Sequence, residues 1–285
     1  MRRIWAMMQS VKPTWKFAPL SQPFVPRPGI RKLEGVVFDV DGTLCEPQNY
    51  MFTTMRQSLG IPKSVDILTH IYSLPTPQAQ ADAMSIIRSI EREAITHQRP
   101  QPGLRELMTY LDSRDIRKGI CTRNFDVPVH SLLSKFLQGI DFSPIVTRDF
   151  RPPKPDPAGI LHIARSWGLV RRAEPGEKAG VPADPEEEEK RRREDQKQED
   201  RMKQDGDAAD GPELVETHAG EEVADASGLI MVGDSLDDMT AGRRAGARTV
   251  LLVNDANRHL AEHEHTDYVI ERLDELIDVL EKGLL

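Results

Sequence analysis

Short apolar runs, rich in β-branched residues and bounded by polar ones, recur along the chain and predict buried strands. The clearest of them lie at Val36–Val40, Arg117–Thr122, Phe142–Thr147, Leu229–Asp234 and Arg248–Val253, with a shorter one at Tyr268–Ile270. Between them, apolar residues recur at helical spacing over Pro102–Ser113, Val129–Leu137, Ala158–Trp167, Leu236–Ala245 and Leu273–Leu280. Strands that alternate with helices are typical of a doubly wound parallel sheet, so the pattern predicts an α/β fold.

Residues 46–100 break this alternation, because they contain helical spacing and no strand-like run. Five prolines divide the stretch, and the longest helix is expected over Gln78–Gln98, with alanine and isoleucine side chains on one face. We therefore expect a small helical lobe inserted after the first strand. Residues 34–45 and 101–285 are expected to form the sheet domain.

The charged residues are distributed unevenly, and two segments belong to neither the predicted sheet domain nor the predicted helical lobe. Residues 1–33 carry seven Lys or Arg and no acid, and five prolines after residue 12 favour an extended, disordered leader. Its acid-free start, with a short amphipathic helix expected over residues 1–12, is typical of a mitochondrial transit peptide. Residues 174–227 carry 19 acidic and 8 basic residues, which predicts a disordered insertion within the sheet domain. A docking segment for a basic partner is the alternative for that insertion.

The composition of the chain argues against some classes of protein and some kinds of partner. The 285 residues carry a formal net charge of −8, which argues against a nucleic-acid binder. No apolar stretch approaches the roughly 18 residues of a membrane span. The chain has only two cysteines, Cys45 and Cys121, which favours a reducing compartment. We expect a cytoplasmic protein, with a mitochondrial location through residues 1–33 as the alternative.

Carboxylates cluster where two of the predicted strands end. Asp39 and Asp41, in the sequence DVDGT, follow the first strand, and Asp234 follows a later one. Ligands bind at the carboxyl ends of parallel strands, where these acids would repel one another without a cation. A turn stabilised by aspartate alone is the alternative for the first pair, and the second cluster disfavours it. Because Mg²⁺ prefers oxygen ligands, we expect a magnesium site formed by Asp39, Asp41 and Asp234.

Two other strand ends carry groups that suit a phosphate. The segment CTRN places the Thr122 hydroxyl and the Asn124 amide in a turn with backbone N–H groups. The segment RPPKPDP holds Lys154 between prolines just before a helix, where it forms a fixed positive charge. A threonine at a strand end and a lysine on the surface are common in proteins without any functional role. Each therefore indicates a phosphate site only in combination with the acids.

In order and spacing, these segments resemble the motifs of the haloacid dehalogenase-like (HAD) hydrolase superfamily. DVDGT resembles motif I, the strand end at Thr122 motif II, Lys154 motif III, and GDSLDDMTAG motif IV. The resemblance covers residues 34–173 and 228–285, and the helical lobe is similar to a small cap of the C1 type. Within the superfamily the chain looks most like the phosphoglycolate-phosphatase-type branch, and most closely like uncharacterised fungal members. The leader and the charged insertion depart from the family pattern without touching a motif.

The resemblance implies a chemical role for each motif residue. Asp39 would be the nucleophile that forms an aspartyl-phosphate, and Asp41 the general acid and base. Thr122 would hydrogen-bond the transferring phosphoryl group, and Lys154 would neutralise it and hold Asp39. The activity implied is the Mg²⁺-dependent hydrolysis of a small phosphorylated metabolite.

The resemblance also implies how the metal is held. Asp234 would bind Mg²⁺ together with Asp39 and the backbone carbonyl of Asp41. Asp238 would support the site by pairing with Lys154 or with a metal-bound water, and the Asn124 amide would support it from the next strand end. Neither a nucleic acid nor a membrane is implied as a partner, and the oligomeric state is not predicted.

Several other functions occur on the same fold, and we compare each with the hydrolysis of a phosphate monoester. A phosphomutase shares every motif and remains an alternative. Dehalogenation needs neither Asp41 nor Asp234, and phosphonate hydrolysis needs a cap lysine, for which Lys63 is poorly placed at a helix start. A non-catalytic binding protein with a HAD fold is the alternative outside the enzymes. It would be expected to lack one of the acids.

Substrate specificity is expected to reside in the helical lobe. Arg56, Arg88 and Arg92 are its candidate groups for binding an anionic substrate. Solvated arginines on an exposed helix face are the simpler interpretation of the same residues.

Overall fold

The computed structural model describes residues 16–173 and 222–283, and these ranges contain ten strands and eight α-helices. The strands are β1 (Lys16–Phe17), β2 (Ile30–Arg31), β3 (Gly35–Phe38), β4 (Arg117–Cys121), β5 (Ile145–Val146), β6 (Val170–Arg172), β7 (Glu222–Ala224), β8 (Leu229–Gly233), β9 (Arg248–Leu252) and β10 (Tyr268–Ile270). The helices are α1 (Asn49–Leu59), α2 (Ile67–Tyr72), α3 (Pro77–Ala94), α4 (Leu104–Ser113), α5 (Asp126–Phe136), α6 (Ala158–Ser166), α7 (Leu236–Ala245) and α8 (Glu275–Lys282). No helix within the described ranges combines the length and the hydropathy needed to cross a membrane.

A six-stranded sheet forms the centre of the molecule, in the order β10-β9-β8-β3-β4-β5. Every pairing in it is parallel, as crossover helices between strands require. The central strand β3 pairs with β8 on one side and with β4 on the other, with Phe38 in register with Val232 and Ile120. The expected α/β fold class is confirmed, and the carboxyl ends of β3, β4 and β8 lie side by side.

Helices cover both faces of the sheet, because its central strands are apolar on both sides. One face packs against α4, α5 and α8 through buried residues such as Phe38, Leu107 and Leu276. The other face packs against α6 and α7 through residues such as Met231 and Ile163. Buried on both faces, the strands present their carboxyl ends as a rigid platform.

The helices α1, α2 and α3 form a cap between β3 and α4, around their own buried cluster of Met55, Ile71 and Ile87. Phe125, which precedes α5 in the sheet domain, inserts into this cluster. The Thr76 hydroxyl caps the start of α3 by accepting a hydrogen bond from the Ala79 N–H. The insertion of Phe125 seats the cap on the sheet domain next to the end of β4.

The expectation of a disordered leader is wrong for residues 16–33, which we call the N-terminal strap. Strands β1 and β2 of the strap pair with each other, and Phe17 is 2% exposed within the main core. The Leu20 N–H donates a hydrogen bond to the Leu280 carbonyl in α8. The prolines keep the strap extended, but its few large apolar side chains have a core to enter. The helix expected over residues 1–12 lies outside the described residues.

The expectation of a disordered insertion is wrong at its end, residues 222–227. Strand β7 pairs antiparallel with β6, with Glu222 in register with Arg172, and Val223 is buried. The many charged residues before it dominate the composition of the segment, so composition alone does not reveal this short apolar stretch. Residues 174–221 lie outside the described part of the chain.

Two elements have bounds that differ from those predicted by the hydrophobic pattern, and a proline explains each difference. The strand expected over Phe142–Thr147 is reduced to Ile145–Val146, since Pro144 has no N–H to donate to a neighbouring strand. Helix α5 begins at Asp126 and not at Val129, because a proline at residue 128 fits the first turn of a helix. Neither difference moves a strand end at the candidate site.

Candidate active site

Three carboxylates meet at the ends of β3 and β8, and we call Asp39, Asp234 and Asp238 the acid cluster. One carboxylate oxygen from each lies within 4.8 Å of the others. Gly42 makes this approach feasible, because a Cβ at its position would lie 2.1 Å from Asp234 Oδ2. Its φ of 81° is also in the left-handed region that favours glycine. The turn in DVDGT therefore requires its glycine both for its backbone and for the space beside it.

Lys154 binds the acid cluster from the side of β4. Its Nζ donates to Asp39 Oδ1 at 2.7 Å, to Asp238 Oδ1 at 2.5 Å and to the Cys121 carbonyl at 2.6 Å. Its side chain is only 3% exposed, so this charge is directed at the cluster and not at solvent. The family resemblance implied both the contact with Asp39 and the pairing with Asp238.

Asp238 is oriented by a capping box at the start of α7. Asp238 Oδ2 accepts hydrogen bonds from the Ser235 N–H at 3.0 Å and from the Ser235 hydroxyl at 2.6 Å. The Ser235 hydroxyl in turn accepts a bond from the Asp238 N–H, which satisfies an N–H of the first helical turn. With Oδ2 held in this way, Oδ1 points to Lys154.

Burial and mutual repulsion destabilise the charged forms of the acids. Burial, with the repulsion of Asp238, raises the pKa of Asp39 to about 7, although Lys154 opposes the shift. Burial and the charge of Asp39 raise the pKa of Asp234 to about 8. Burial also opposes the charge of Lys154, but the carboxylates of Asp238 and Asp39 outweigh it and raise its pKa. With all three acids ionised, the cluster would carry two more negative charges than Lys154 neutralises, and this repulsion adds to burial in favouring the protonated forms.

The Asp41 carboxylate lies outside the acid cluster and faces the loop after β4. Asn124 Nδ2 donates to Asp41 Oδ2 at 2.9 Å, and Cys45 Sγ lies 3.5 Å from Oδ1. Burial raises the pKa of Asp41, and the hydrogen bond from Asn124 opposes the shift. Asp238, and not Asp41, supplies the third carboxylate of the acid cluster, because the Asp41 carboxyl is engaged by Asn124 and Cys45. A metal site formed by Asp39, Asp41 and Asp234 stays a prediction. A ligand role for the Asp41 backbone carbonyl stays a prediction.

The loop 122–124 runs beside the acid cluster at the end of β4. The Thr122 hydroxyl accepts a hydrogen bond from the Asn124 N–H at 3.2 Å, and the Thr122 N–H donates to the Val146 carbonyl at 2.9 Å. Lys154 binds the carbonyl of Cys121, the residue just before this loop. Thr122, Asn124 and Lys154 are therefore brought together around the acids. That Thr122 binds a phosphoryl group stays a prediction.

Two arginines that the sequence analysis missed connect this loop to the cap. Arg123 Nη2 donates to Asp66 Oδ2 at 2.8 Å, at the start of α2. Arg148 Nη2 donates to Glu91 Oε1 in α3 at 2.7 Å, and its Nε donates to the Arg123 carbonyl at 2.6 Å. Each arginine thus joins the loop after β4 to an acid of the cap.

The pair of Glu91 and Arg148 is buried, with the two residues 3% and 8% exposed. Glu91 Oε2 and Arg148 Nη1 are buried without a hydrogen-bond partner among the described residues. Burial raises the pKa of Glu91 to about 7, although Arg148 opposes the shift. The sequence contains a signal for each residue alone, but none for the contact between them. Glu91 lies four residues after Ile87 on the apolar face of its helix, and Arg148 lies just beyond the end of a strand.

Two of the three cap arginines expected to bind substrate line one cavity. Arg88 and Arg92 contribute to a cavity of about 420 Å³ between α3 and the start of α5. The Arg88 guanidinium also lies 4.5 Å from the centre of the Phe125 ring. Arg56 lies elsewhere in the cap, and its Nη1 donates to the Phe52 carbonyl one turn earlier in α1. A substrate role for these three arginines stays a prediction.

Comparison with known protein sequences gives matches over most of the chain. A family model described as HAD-hydrolase-like matches residues 210–276. The uncharacterized hydrolase YOR131C of Saccharomyces cerevisiae is 36% identical over 258 residues, which cover 89% of this chain and 93% of that protein. A haloacid dehalogenase-like hydrolase domain-containing protein of Arabidopsis thaliana is 32% identical over 232 residues, which cover 78% of this chain and 71% of that protein.

Comparison with solved structures shows the same fold at low sequence identity. A phosphoglycolate-phosphatase-type protein of Lactobacillus plantarum is 15% identical and has a TM-score of 0.57, with 87% of this chain and 99% of that chain covered. CbbY of Rhodobacter sphaeroides, solved in complex with phosphate, is 18% identical and has a TM-score of 0.54, with 86% and 96% covered. At this level of identity the likeness concerns the arrangement of strands and helices.

Proposed function

The chain belongs to the haloacid dehalogenase-like hydrolases, as its motifs predicted, and we propose that it is a Mg²⁺-dependent phosphatase of a small phosphate monoester. The observation that carries the proposal is the contact of Lys154 with both Asp39 and Asp238, next to Asp234, at the strand ends. A carboxylate beside a fixed cation and further acids is suited to attack an anionic phosphorus centre, because the cation offsets the repulsion between them.

The residues present fit a magnesium ion. When the carboxyl groups of Asp39, Asp234 and Asp238 are all ionised, the single positive charge of Lys154 leaves two negative charges, which a divalent cation would balance. All three offer hard oxygen ligands, and the cluster contains neither histidine nor cysteine. Asp39 and Asp234 would hold the ion, with Asp238 or the Asp41 carbonyl in support. When bound, Mg²⁺ supplies positive charge to the oxygens of the transferring phosphoryl group.

In the first half of the reaction, an Asp39 carboxylate oxygen attacks phosphorus and the bond from phosphorus to the leaving oxygen breaks. Lys154 keeps Asp39 oriented and offsets the negative charge of the phosphoryl group. Asp41 gives its proton to the leaving alkoxide, and burial favours the protonated form that this step needs. The products are an alcohol and an aspartyl-phosphate on Asp39.

In the second half, a water molecule attacks the phosphorus of the aspartyl-phosphate. Asp41, now ionised, accepts a proton from this water, and the bond between phosphorus and the Asp39 oxygen breaks. Inorganic phosphate leaves, and Asp39 and Asp41 return to their starting states. Asn124 holds the Asp41 carboxyl in place through both halves.

Phosphate release from p-nitrophenyl phosphate tests the proposal. Activity is expected to vanish in EDTA, to return with Mg²⁺ and not with Ca²⁺, and to be absent in Asp39→Asn. The exposed Asp141 allows a matched control, Asp141→Asn, which is expected to keep full activity. Full turnover in EDTA, or turnover by Asp39→Asn at the wild-type rate, would contradict the proposal.

A further inference from the structure

Asn257, a buried residue in the loop after β9, has no role in the chemistry described so far. The residue is 7% exposed, and its side-chain amide is hydrogen-bonded at both ends. Nδ2 donates to the Asp234 carbonyl at 2.7 Å and to the Leu252 carbonyl at 3.0 Å. Oδ1 accepts from the Asn254 N–H at 2.6 Å. One side chain therefore joins the end of β9 to the residue that follows β8.

The hydrogen-bond partners leave this amide a single orientation. Two carbonyl oxygens face Nδ2, which carries two N–H donors, and one backbone N–H faces Oδ1. Reversal of the amide would place an acceptor against two acceptors and a donor against a donor. Because an unsatisfied polar group is costly when it is buried, the Asn257 side chain is held in this arrangement.

The bond to Asp234 holds one end of a peptide group whose other end is also bound. The carbonyl of the peptide group between Asp234 and Ser235 accepts from Asn257, and its N–H donates to Asp238 Oδ2 at 3.0 Å. A peptide group is planar, so a bond at each end fixes its orientation. That orientation sets the direction in which the Asp234 side chain leaves the backbone, and it places the N–H that holds Asp238. Asn257 thus acts on two members of the acid cluster through one peptide group.

Closure of the loop after β9 does not account for the bond to Asp234. The loop is closed by bonds among its own residues, since Asn257 binds the Leu252 carbonyl and the Asn254 N–H. Asn254 Oδ1 also accepts from the N–H groups of Ala256 at 2.8 Å and Asn257 at 3.2 Å. The bond to Asp234 instead leaves the loop and reaches a residue 23 positions earlier in the chain. It is also the shorter of the two bonds that Nδ2 donates.

We propose, on the basis of the Mg²⁺-dependent phosphatase activity proposed above, that Asn257 is a positioning residue for the acid cluster. It holds the backbone of Asp234 so that the carboxylate of this residue stays in the cluster. It also holds the Ser235 N–H in place for Asp238 Oδ2, which leaves Oδ1 of Asp238 directed at Lys154. Loss of the Asn257 side chain is therefore expected to weaken metal binding.

Calorimetric titration of the metal-free protein with Mg²⁺ tests the positioning role. In Asn257→Ala the Mg²⁺ dissociation constant is expected to rise ~10–100-fold, because the Asp234 carbonyl loses its donor. Thermal unfolding in EDTA gives the Tm of each variant, and the titrations are made well below it, where all chains are folded. A loss of stability alone then leaves the dissociation constant unchanged.

Asn254→Ala is the matched control in the same loop. It removes the two bonds that Asn254 Oδ1 accepts and leaves the Asn257 amide on the Asp234 carbonyl. It is expected to lower the Tm and to keep the Mg²⁺ dissociation constant of the wild type. Equal rises of the dissociation constant in Asn254→Ala and Asn257→Ala, or no rise in Asn257→Ala, would overturn the proposal.

A second variant, Asn257→Ser, leaves a smaller cavity and covers the case in which Asn257→Ala does not fold. Its hydroxyl ends one bond nearer to the backbone than Nδ2 does, so the bond to the Asp234 carbonyl is expected to be lost. The Mg²⁺ dissociation constant is expected to rise in this variant as well. A wild-type dissociation constant in Asn257→Ser would overturn the proposal.

The wild-type protein distinguishes a failure of the positioning role from a failure of the proposed function. If the wild type neither binds Mg²⁺ nor hydrolyses p-nitrophenyl phosphate, the proposed function is overturned and the positioning role with it. If the wild type does both and Asn257→Ala binds Mg²⁺ equally well, only the positioning role is overturned. As a second readout, the Mg²⁺ concentration that gives half of the maximal rate is expected to rise in Asn257→Ala together with the dissociation constant.

Discussion

At the scale of single residues, the site consists of side chains whose positions are set before a substrate arrives. Lys154 is held by three oxygen atoms, and both oxygens of Asp238 are engaged. Charges fixed in this way stabilise a transition state without a reorganisation cost. Gly42 contributes by having no side chain, because a Cβ at its position would overlap the Asp234 carboxylate.

Gly42→Ala is expected to disturb both the fold and the metal site. The left-handed backbone costs ~1–2 kcal/mol for alanine, and the new Cβ displaces the Asp234 carboxylate, so Mg²⁺ affinity is expected to fall ~10–100-fold. Gly60→Ala is the matched control, because Gly60 has φ 66° and no atom within 4 Å of a Cβ. It is expected to lose the same stability and to keep its Mg²⁺ affinity. Calorimetric titration and thermal unfolding measure the two effects, and equal affinity losses in both variants would argue against this role of Gly42.

The raised pKa values of the acid cluster predict how the metal-free protein responds to pH. Burial raises the pKa of Asp39 from 3.8 to about 7 and that of Asp234 from 3.8 to about 8, so the folded state binds protons more tightly than the unfolded state. The stability associated with these protons is present at low pH and is lost as the pH rises through the folded-state values. The Tm in EDTA is therefore expected to be lower at about pH 8 than at about pH 6.

The same protons compete with the metal. Mg²⁺ is expected to raise the Tm more at about pH 8 than at about pH 6, since fewer protons must leave before it binds. Asp39→Asn removes one titrating group and is expected to flatten the decline of the Tm in EDTA. A Tm in EDTA that rises over this interval, or equal shifts by Mg²⁺ at both pH values, would count against the account of the acid cluster.

At the scale of elements, the N-terminal strap is expected to be part of the folded unit. Phe17→Ala removes a side chain that is 2% exposed, so the free energy of unfolding is expected to fall by ~3–5 kcal/mol. Val25→Ala changes a residue of the same strap that is 57% exposed and is expected to cost no more than ~0.5 kcal/mol. Denaturant unfolding measures both, and equal small losses would show that the strap does not stabilise the sheet domain.

The alternation of strands and helices, and the acids at strand ends, could be predicted because both are local patterns. Asp39 and Asp234 each follow a strand end directly, and the parallel sheet brings them together, while Lys154 reaches them from the connection between β5 and α6. Contacts between distant segments gave no such pattern. The sequence offers no period that joins Arg148 to Glu91, and average composition concealed the few apolar residues of the strap, such as Phe17.

At the scale of the whole molecule, two arginines connect the cap to the loop 122–124. Arg123 joins Asp66 in the cap to Asp237 at the start of α7, with both contacts below 3 Å. Arg148 joins Glu91 in the cap to the Arg123 carbonyl. Through this loop the position of the cap is linked to Asn124, which holds the proposed acid and base. We therefore expect the proposed chemistry to depend on the seated cap as well as on the sheet domain.

The central claim is that Asp39 becomes phosphorylated, and mass spectrometry of acid-quenched protein tests it most directly. After mixing with Mg²⁺ and p-nitrophenyl phosphate, the wild-type chain is expected to carry one phosphoryl group on the peptide that contains Asp39. In Asp41→Asn the adduct is expected to accumulate, because the attacking water lacks its base. In Asp39→Asn it is expected to be absent. Turnover with no adduct in the first two proteins, or an adduct on another residue, would contradict the mechanism.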